Sequence, residues 1–249
     1  MKHSWATLVV LAALPLPLGA QDIPLSKILV EREGWRVVVR APHVTGLQAE
    51  PDGGVLVRHD THVSRLGPTG VMEKYPDKPT TGVTTRAGGH YEIDADKKLV
   101  VATAGGKRQE LRLAGLTSPL SLTLWPDEGH LVIGESRGAW LWAVRIEADG
   151  SLGPGDRYYS LRTRPGEPLP VVALTMDAAG LLYACTPLGV QVFDPTGRLS
   201  GVVAAPAKEA MTAITLGGEG ASMLFVACGD RLYARKVQGK APYTARKER

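Results

Sequence analysis

The sequence predicts an all-β protein built from repeated four-stranded units, and three observations carry this prediction. One phrase recurs: a turn containing Asp, Gly or Pro, an apolar triplet, a small or polar step, and a second strand-like run. The triplets begin 32 to 51 residues apart, at Val55, Leu99, Leu131, Leu182 and Leu224. The 29 glycines and 18 prolines fall between the apolar runs, as turn residues do. Each spacing fits four short strands with their turns, which is one blade of a β-propeller.

Each predicted blade begins with an inner strand beside the channel axis and adds strands outward. The inner strands are expected at residues 45–50, 89–93, 120–125, 172–176 and 212–216. The apolar triplets form the second strands, and the third strands include residues 62–66, 140–146, 190–193 and 232–236. Residues 35–40 precede the first repeat and are placed to close the ring as the outermost strand of the last blade. Five blades are visible, and a sixth would have to come from weakly patterned stretches such as residues 71–86.

The start of the chain has the pattern of a signal peptide, residues 1–20. A basic start is followed by an apolar stretch, residues 6–18, and by the small residues Gly19 and Ala20. This stretch is broken by Pro15 and Pro17 and is shorter than the roughly 20 apolar residues of a membrane span. We therefore expect a bacterial periplasmic or secreted protein with no membrane span, a propeller domain at residues 21–239 and a basic C-terminal tail at residues 240–249.

The charge and the cysteines exclude several classes of function. A net charge of +4 is too small to indicate a nucleic-acid partner. The two cysteines, Cys185 and Cys228, lie at similar places in consecutive repeats, where we expect buried small residues. A disulfide between them stays open, although Cα atoms more than about 7 Å apart cannot be bridged. No zinc-type spacing of Cys and His is present.

Residues 119–236 resemble the gluconolactonase, senescence-marker-protein and luciferin-regenerating-enzyme-like family. The strongest part is LTMDAAGLLYACTPLGVQVFDPTGRL, residues 174–199, which is similar to a family blade phrase. The resemblance implies a six-bladed propeller whose enzymes hydrolyse sugar lactones and similar esters with one divalent metal, usually calcium, at the channel mouth. It also implies metal ligands, a glutamate, two asparagines and an aspartate, at the starts of inner strands.

This chain has other residues at those ligand positions. The resemblance places the four ligands at Thr45, Gly89, Leu120 and Val172. Calcium takes six to eight oxygen ligands, and Gly, Leu and Val side chains supply none. We therefore expect no cofactor and no metal, with calcium or another divalent ion present only if the site has been rebuilt from other residues.

Three residues are weak catalytic candidates: His90, Asp60 and Glu135. A histidine beside a carboxylate can act as a general base near neutral pH, so a rebuilt site would use His43, His59, His62 or His90 with Asp60 or Glu135. Of these histidines, His59 and His62 lie close to Asp60 in the sequence. The alternative for Asp60 and Glu135 is structural, because carboxylates in such positions brace turns by accepting backbone hydrogen bonds.

Three functions remain open. The preferred one is an exported, non-catalytic or divergent propeller that binds a small carbohydrate or lactone, or an envelope protein. The second is a sugar-lactone or ester hydrolase with a rearranged site at the channel mouth. The third is a structural domain that docks to an envelope assembly.

Overall fold

The computed structural model describes residues 23–76, 81–167 and 169–242, which form five four-stranded antiparallel sheets arranged as a β-propeller. The all-β prediction is confirmed. The predicted leader, residues 1–20, and residues 243–249 of the predicted tail lie outside the described residues. Within the described ranges, no helix has the length and apolar character needed to cross a membrane.

The strands follow the chain blade by blade, except that β1 (Arg36–Arg40) belongs to the last blade. Blade 1 contains, from the axis outward, β2 (Val44–Ala49), β3 (Val55–His59), β4 (Val63–Leu66) and β5 (Met72–Tyr75). Blade 2 contains β6 (Val83–Thr84), β7 (His90–Asp94), β8 (Leu99–Ala104) and β9 (Lys107–Leu111). Blade 3 contains β10 (Pro119–Leu124), β11 (His130–Glu135), β12 (Trp140–Ile146) and β13 (Leu152–Ser160).

The last two blades complete the ring. Blade 4 contains β14 (Ala173–Met176), β15 (Leu182–Thr186), β16 (Gly189–Phe193) and β17 (Leu199–Val203). Blade 5 contains β18 (Met211–Gly217), β19 (Met223–Cys228), β20 (Arg231–Lys236) and the N-terminal strand β1. β1 pairs antiparallel with β20, with Val37 opposite Tyr233 and Val39 opposite Leu232. The predicted closure by the N-terminal strand is therefore confirmed.

Blade 2 differs from its prediction by one strand. The sequence assigns the inner strand to residues 89–93, but β6 pairs on the inner side of β7, with Val83 opposite Tyr91 and Thr84 opposite His90. The apolar run at Leu99 is therefore the third strand of its blade. Residues 71–86 supply β5 and β6, so within the described residues they belong to blades 1 and 2 and not to a sixth sheet.

The recurring aspartates hold turns between first and second strands. Asp52 Oδ1 accepts the backbone N–H of Gly54 at 2.9 Å, and Asp127 Oδ1 accepts that of Gly129 at 2.8 Å. In blade 4, Asp177 Oδ1 accepts two backbone N–H groups, from Ala179 and Leu181. Such side-chain to backbone bonds favour turns over continued strands, which explains the repeated turn signal in the sequence.

Apolar clusters between neighbouring sheets form the core. Four clusters join blade 2 to 3, 3 to 4, 4 to 5 and 5 to 1. Between blades 1 and 2 the described residues form no comparable cluster. Within blade 2, Lys97 Nζ and Arg112 Nη2 approach Glu110 at 2.8 and 3.0 Å, with both basic side chains more than half exposed. Among the described residues, the apolar packing between sheets is therefore weakest at the junction of blades 1 and 2.

Both ends of the described chain pack on blades 4 and 5. Ile28 is fully buried in the cluster between these blades, and its carbonyl accepts the N–H of Gln238 at 2.7 Å. Beyond β20, the Lys240 carbonyl accepts the N–H of Ala178, and Ala241 donates to the Ala221 carbonyl. The chain is thereby tied down as far as Ala241, which is itself 3% exposed.

Candidate functional site

The channel mouth is the end of the propeller where the inner strands β2, β10, β14 and β18 begin. Strands in a blade alternate in direction, so the connections between second and third strands also lie at this end. The connections between first and second strands, and between third and fourth, lie at the opposite end, which we call the far end. The end at which a residue lies determines which of the predicted site residues can be close together.

Three of the four positions that the family resemblance gives to metal ligands lie at the mouth. Thr45 is exposed at the start of β2, Leu120 is 41% exposed at the start of β10, and Val172 directly precedes β14. One hydroxyl and two aliphatic side chains do not make a calcium-ligand set. In residues 23–76, 81–167 and 169–242, no three or more His, Cys, Asp and Glu side chains are grouped to hold a metal ion.

Gly89, the fourth position, lies at the far end. It closes the turn from Thr85, in which the Gly89 N–H donates to Thr85 Oγ1 at 2.9 Å and the Thr85 N–H donates to the Gly89 carbonyl at 2.8 Å. The next strand begins at the far end as well, because the Tyr91 hydroxyl donates to the carbonyl of Gly150, in the far-end turn of blade 3. Placing Gly89 at the mouth was wrong, since the short strand β6 has no sequence pattern that reveals it.

His90 follows the same turn and is also far from the mouth. Its Nδ1 lies 2.9 Å from Thr84 Oγ1, and its Nε2 lies 3.8 Å from Glu92 Oε2. Glu92 in turn accepts a hydrogen bond from Thr81. The structure therefore does not bring His90 together with Asp60 or Glu135, and these three candidates do not form one site.

Glu135 lies at the mouth end of blade 3 with both carboxylate oxygens occupied. Oε1 accepts the backbone N–H of Thr117 at 2.9 Å and that of Ser118 at 3.3 Å, and Oε2 accepts Trp142 Nε1 at 2.9 Å. The residue is 6% exposed. This carboxylate braces the connection that leads into β10, in agreement with the structural alternative for this position.

Asp60 belongs to a group of histidines at the mouth end of blade 1. Its Oδ2 lies 3.7 Å from His43 Nδ1, and both side chains are more than half exposed. The rings of His59 and His62 stack with centroids 4.3 Å apart and planes 6° apart. His59 Nδ1 lies 2.8 Å from the Pro42 carbonyl, which only accepts, so Nδ1 carries the hydrogen of this bond. The structure thus brings together His43, Asp60, His59 and His62 as a polar edge of the mouth.

Arg58 lies at the mouth and is a residue that sequence reasoning missed. Its Nη1 lies 3.0 Å from the place a Cβ would take on Gly46, so the guanidinium covers the inner strand next to Thr45. Thr45 Oγ1 also approaches the Arg58 carbonyl, at 3.5 Å. Burial lowers the pKa of Arg58 from its usual value, but an arginine side chain stays charged in proteins. A positive charge therefore lies beside the position where the resemblance expects a carboxylate. The one sign of this contact in the sequence is the glycine at position 46, which leaves room for the guanidinium.

Comparison with known proteins identifies the family. A sequence model of the SMP-30/gluconolactonase/LRE-like region matches residues 29–229, which is most of the chain. The chain belongs to this family. No curated protein matches the chain significantly.

Solved structures of the SMP-30/gluconolactonase/LRE-like family show the same fold at low sequence identity. The calcium-binding protein regucalcin from Agrobacterium tumefaciens aligns with a TM-score of 0.63 at 14% identity, over 84% of this chain and 95% of its own. A luciferin-regenerating enzyme aligns with a TM-score of 0.63 at 11% identity, over 86% and 99%. A gluconolactonase from Xanthomonas campestris aligns with a TM-score of 0.57 at 14% identity, over 86% and 92%. At these identities the likeness extends to the fold, and the chemistry has to be argued from this chain's own residues.

Proposed function

We propose that this gluconolactonase-like propeller is an exported binding protein that holds a small carbohydrate or lactone at its mouth without metal-dependent hydrolysis. The observation that carries the proposal is the Arg58 guanidinium packed over Gly46, next to Thr45. A divalent cation at that place would lie beside a guanidinium, and positions 45, 120 and 172 supply no carboxylate ligand. This lining suits a ligand held by hydrogen bonds and apolar contacts.

The side chains around the mouth suit a polar ligand with an apolar face. Thr45 and Thr212 are exposed hydroxyls at the starts of inner strands, and Leu120 is an exposed apolar side chain between them in the ring. The His43 and His62 rings add hydrogen-bonding groups at one edge. Sugars and lactones combine hydroxyl or carbonyl oxygens with apolar carbon faces, which such a mixed surface binds.

Calcium and ligand titrations test the proposal. A specific calcium site filled to 100 times its dissociation constant would stabilise the fold by about 2.7 kcal/mol, which raises the melting temperature of a domain of this size by about 5 to 10 °C. We expect a shift below about 1 °C in 1 mM calcium, and measurable calorimetric binding of at least one aldonolactone or aldose. Leu120→Asp should weaken that binding, while Val71→Asp, a change of an exposed valine in a far-end turn, should not. A calcium shift above 5 °C contradicts the proposal.

The pair of His43 and Asp60 favours hydrolysis as a second candidate. An imidazole 3.7 Å from a carboxylate at the mouth has the composition of a general base and its orienting partner. Turnover of aldonolactones or aryl esters, lost in His43→Ala and Asp60→Ala but retained in His90→Ala at the far end, would establish it in place of the binding role. Absence of turnover by the wild-type protein rejects it.

Export is proposed on the pattern of residues 1–20. Protein recovered from the periplasm or the medium should begin near Gln21, and a variant without residues 2–20 should stay in the cytoplasm. An intact N-terminus on cytoplasmic wild-type protein would contradict this part of the proposal.

A further inference from the structure

Three sulfur-bearing side chains meet between blades 4 and 5, close to the mouth. Cys185 is near the end of β15, Met211 begins β18, and Cys228 ends β19. Cys185 Sγ lies 3.9 Å from Met211 Sδ. Met211 and Cys228 are direct partners across the antiparallel pair β18–β19, so their side chains share one face. All three belong to the same buried cluster, with exposed fractions of 0%, 7% and 2%.

The spacing of these sulfurs is that of van der Waals contact, and it also fits around one metal ion. Bonds from thiolate sulfur to a metal such as zinc are about 2.3 Å long, so three sulfurs placed trigonally around one ion lie about 4 Å apart. The 3.9 Å between Cys185 Sγ and Met211 Sδ has this value. The cross-strand position of Cys228 brings a second thiol to Met211 from the neighbouring strand.

We propose that Cys185, Met211 and Cys228 bind one soft monovalent cation of the Cu(I) type. Thiolate and thioether sulfur select such ions, whereas the harder calcium and magnesium ions require oxygen ligands. One Cu(I) replaces the two thiol protons and is held by two Cys thiolates and the Met thioether, with no change of oxidation state. The site is separate from the proposed ligand site, because its three side chains are buried while the mouth side chains Thr45 and Leu120 are exposed.

The connection before β18 borders one of the thiols. Cys228 Sγ donates its hydrogen to the Glu209 carbonyl at 3.0 Å. A cysteine binds such a cation as the thiolate, so binding of the cation replaces this hydrogen and releases it as a proton. Glu209 and the exposed Lys208 are the charged side chains of the connection, residues 204–210, that passes over Cys228.

Competition for Cu(I) tests the site on the full, reduced chain. Under anaerobic conditions, Cu(I) is titrated into the protein in the presence of a chromophoric Cu(I) chelator, and the ultraviolet thiolate-to-copper absorption is recorded. We expect one Cu(I) per chain. Cys185→Ala and Cys228→Ala should each weaken binding by at least about 100-fold, because partners outside the ligand shell alone contribute 10- to 100-fold. Met211→Leu should weaken it by about tenfold, and Met176→Leu, a matched buried methionine of β14, should leave it unchanged.

Three results would overturn the inference. The first is Cu(I) affinity that survives in the folded Cys185→Ala/Cys228→Ala double variant, and the second is the absence of affinity from the reduced wild-type protein. The third is an intramolecular disulfide in the protein as isolated, seen as a mass lower by two hydrogens, because this bond would remove both thiols. Near-ultraviolet circular dichroism of each variant separates loss of the site from loss of the fold. If a cysteine variant does not fold, Met211→Leu still tests the site, because leucine keeps the apolar volume of methionine.

Discussion

Removal of the Glu135 carboxylate should destabilise the propeller strongly. Glu135→Ala deletes two hydrogen bonds of 2.9 Å, from the Thr117 N–H and Trp142 Nε1, and leaves the buried Trp142 donor without its acceptor. Hydrogen bonds to a charged group contribute about 1.5 to 3 kcal/mol each, so the expected loss is about 3 to 6 kcal/mol of unfolding free energy. Glu135→Gln keeps the size but turns an amide NH2 toward one of the donors, and should cost about 1 to 3 kcal/mol.

Urea unfolding followed by tryptophan fluorescence measures these losses. The matched control is Glu73→Ala, an exposed glutamate on the outer strand β5, which should change the free energy by no more than about 0.5 kcal/mol. The predicted order of stability is wild type and the control, then Glu135→Gln, then Glu135→Ala. A loss below 1 kcal/mol for Glu135→Ala would refute the bracing role, and would return this carboxylate to the set of catalytic candidates.

Two further perturbations address the weak and the buried parts of the ring. Gly82 and Gly166 both have positive φ, so alanine at either position should cost about 1 to 2 kcal/mol for the left-handed backbone alone. A Cβ on Gly82 would also overlap the Tyr91 carbonyl, whereas one on Gly166 meets nothing within 4 Å. Gly82→Ala should therefore lower the unfolding free energy by at least about 2 kcal/mol more than Gly166→Ala in thermal unfolding. Equal losses would contradict the short strand β6. Burial raises the pKa of Asp177 above its ordinary value of 3.8, so the folded state binds the carboxyl proton more tightly than the unfolded state. The free energy of unfolding therefore falls as the pH rises from about 3.8 through the raised pKa of the folded state. Asp177→Asn should remove this decline. The exposed Asp96→Asn should keep the wild-type pH dependence of urea unfolding, and the same slope in both variants would count against the argument.

The sequence predicts the blades well because their signals are local. Apolar triplets, Asp-containing turns and the closing strand at residues 35–40 each lie within a few neighbouring residues, and all have counterparts in the structure. The prediction for blade 2 differs from the structure by one strand because β6 has only two residues and offers no periodicity. The sequence pattern therefore indicates its neighbour β7 as the inner strand. An error of one strand reverses the end of the channel to which a residue is assigned, which is how Gly89 and His90 were placed at the mouth.

The contacts of the mouth could not be predicted in the same way because they are not local patterns. Arg58 is one of many charged residues in the sequence, and only the structure shows that its guanidinium lies on Gly46. The sulfur contact joins Cys185 and Met211 from different blades, 26 positions apart. His59 and His62 stack because the chain reverses between β3 and β4, whereas strand alternation alone would place neighbouring side chains on opposite faces.

Packing between neighbouring sheets and the far-end turns stabilise this ring without using the exposed ligand positions of the mouth. The apolar clusters join the faces of neighbouring sheets, and turn aspartates such as Asp52, Asp127 and Asp177 act at the far end. Neither set includes Thr45 or Leu120, whose exposed side chains support little packing. Exchange of a metal ligand at those positions therefore costs the fold little, since exposed substitutions change stability by about 0.5 kcal/mol or less. A fold-level match to a calcium-binding relative is thus compatible with a mouth that carries Thr45 and Leu120 at two of the ligand positions.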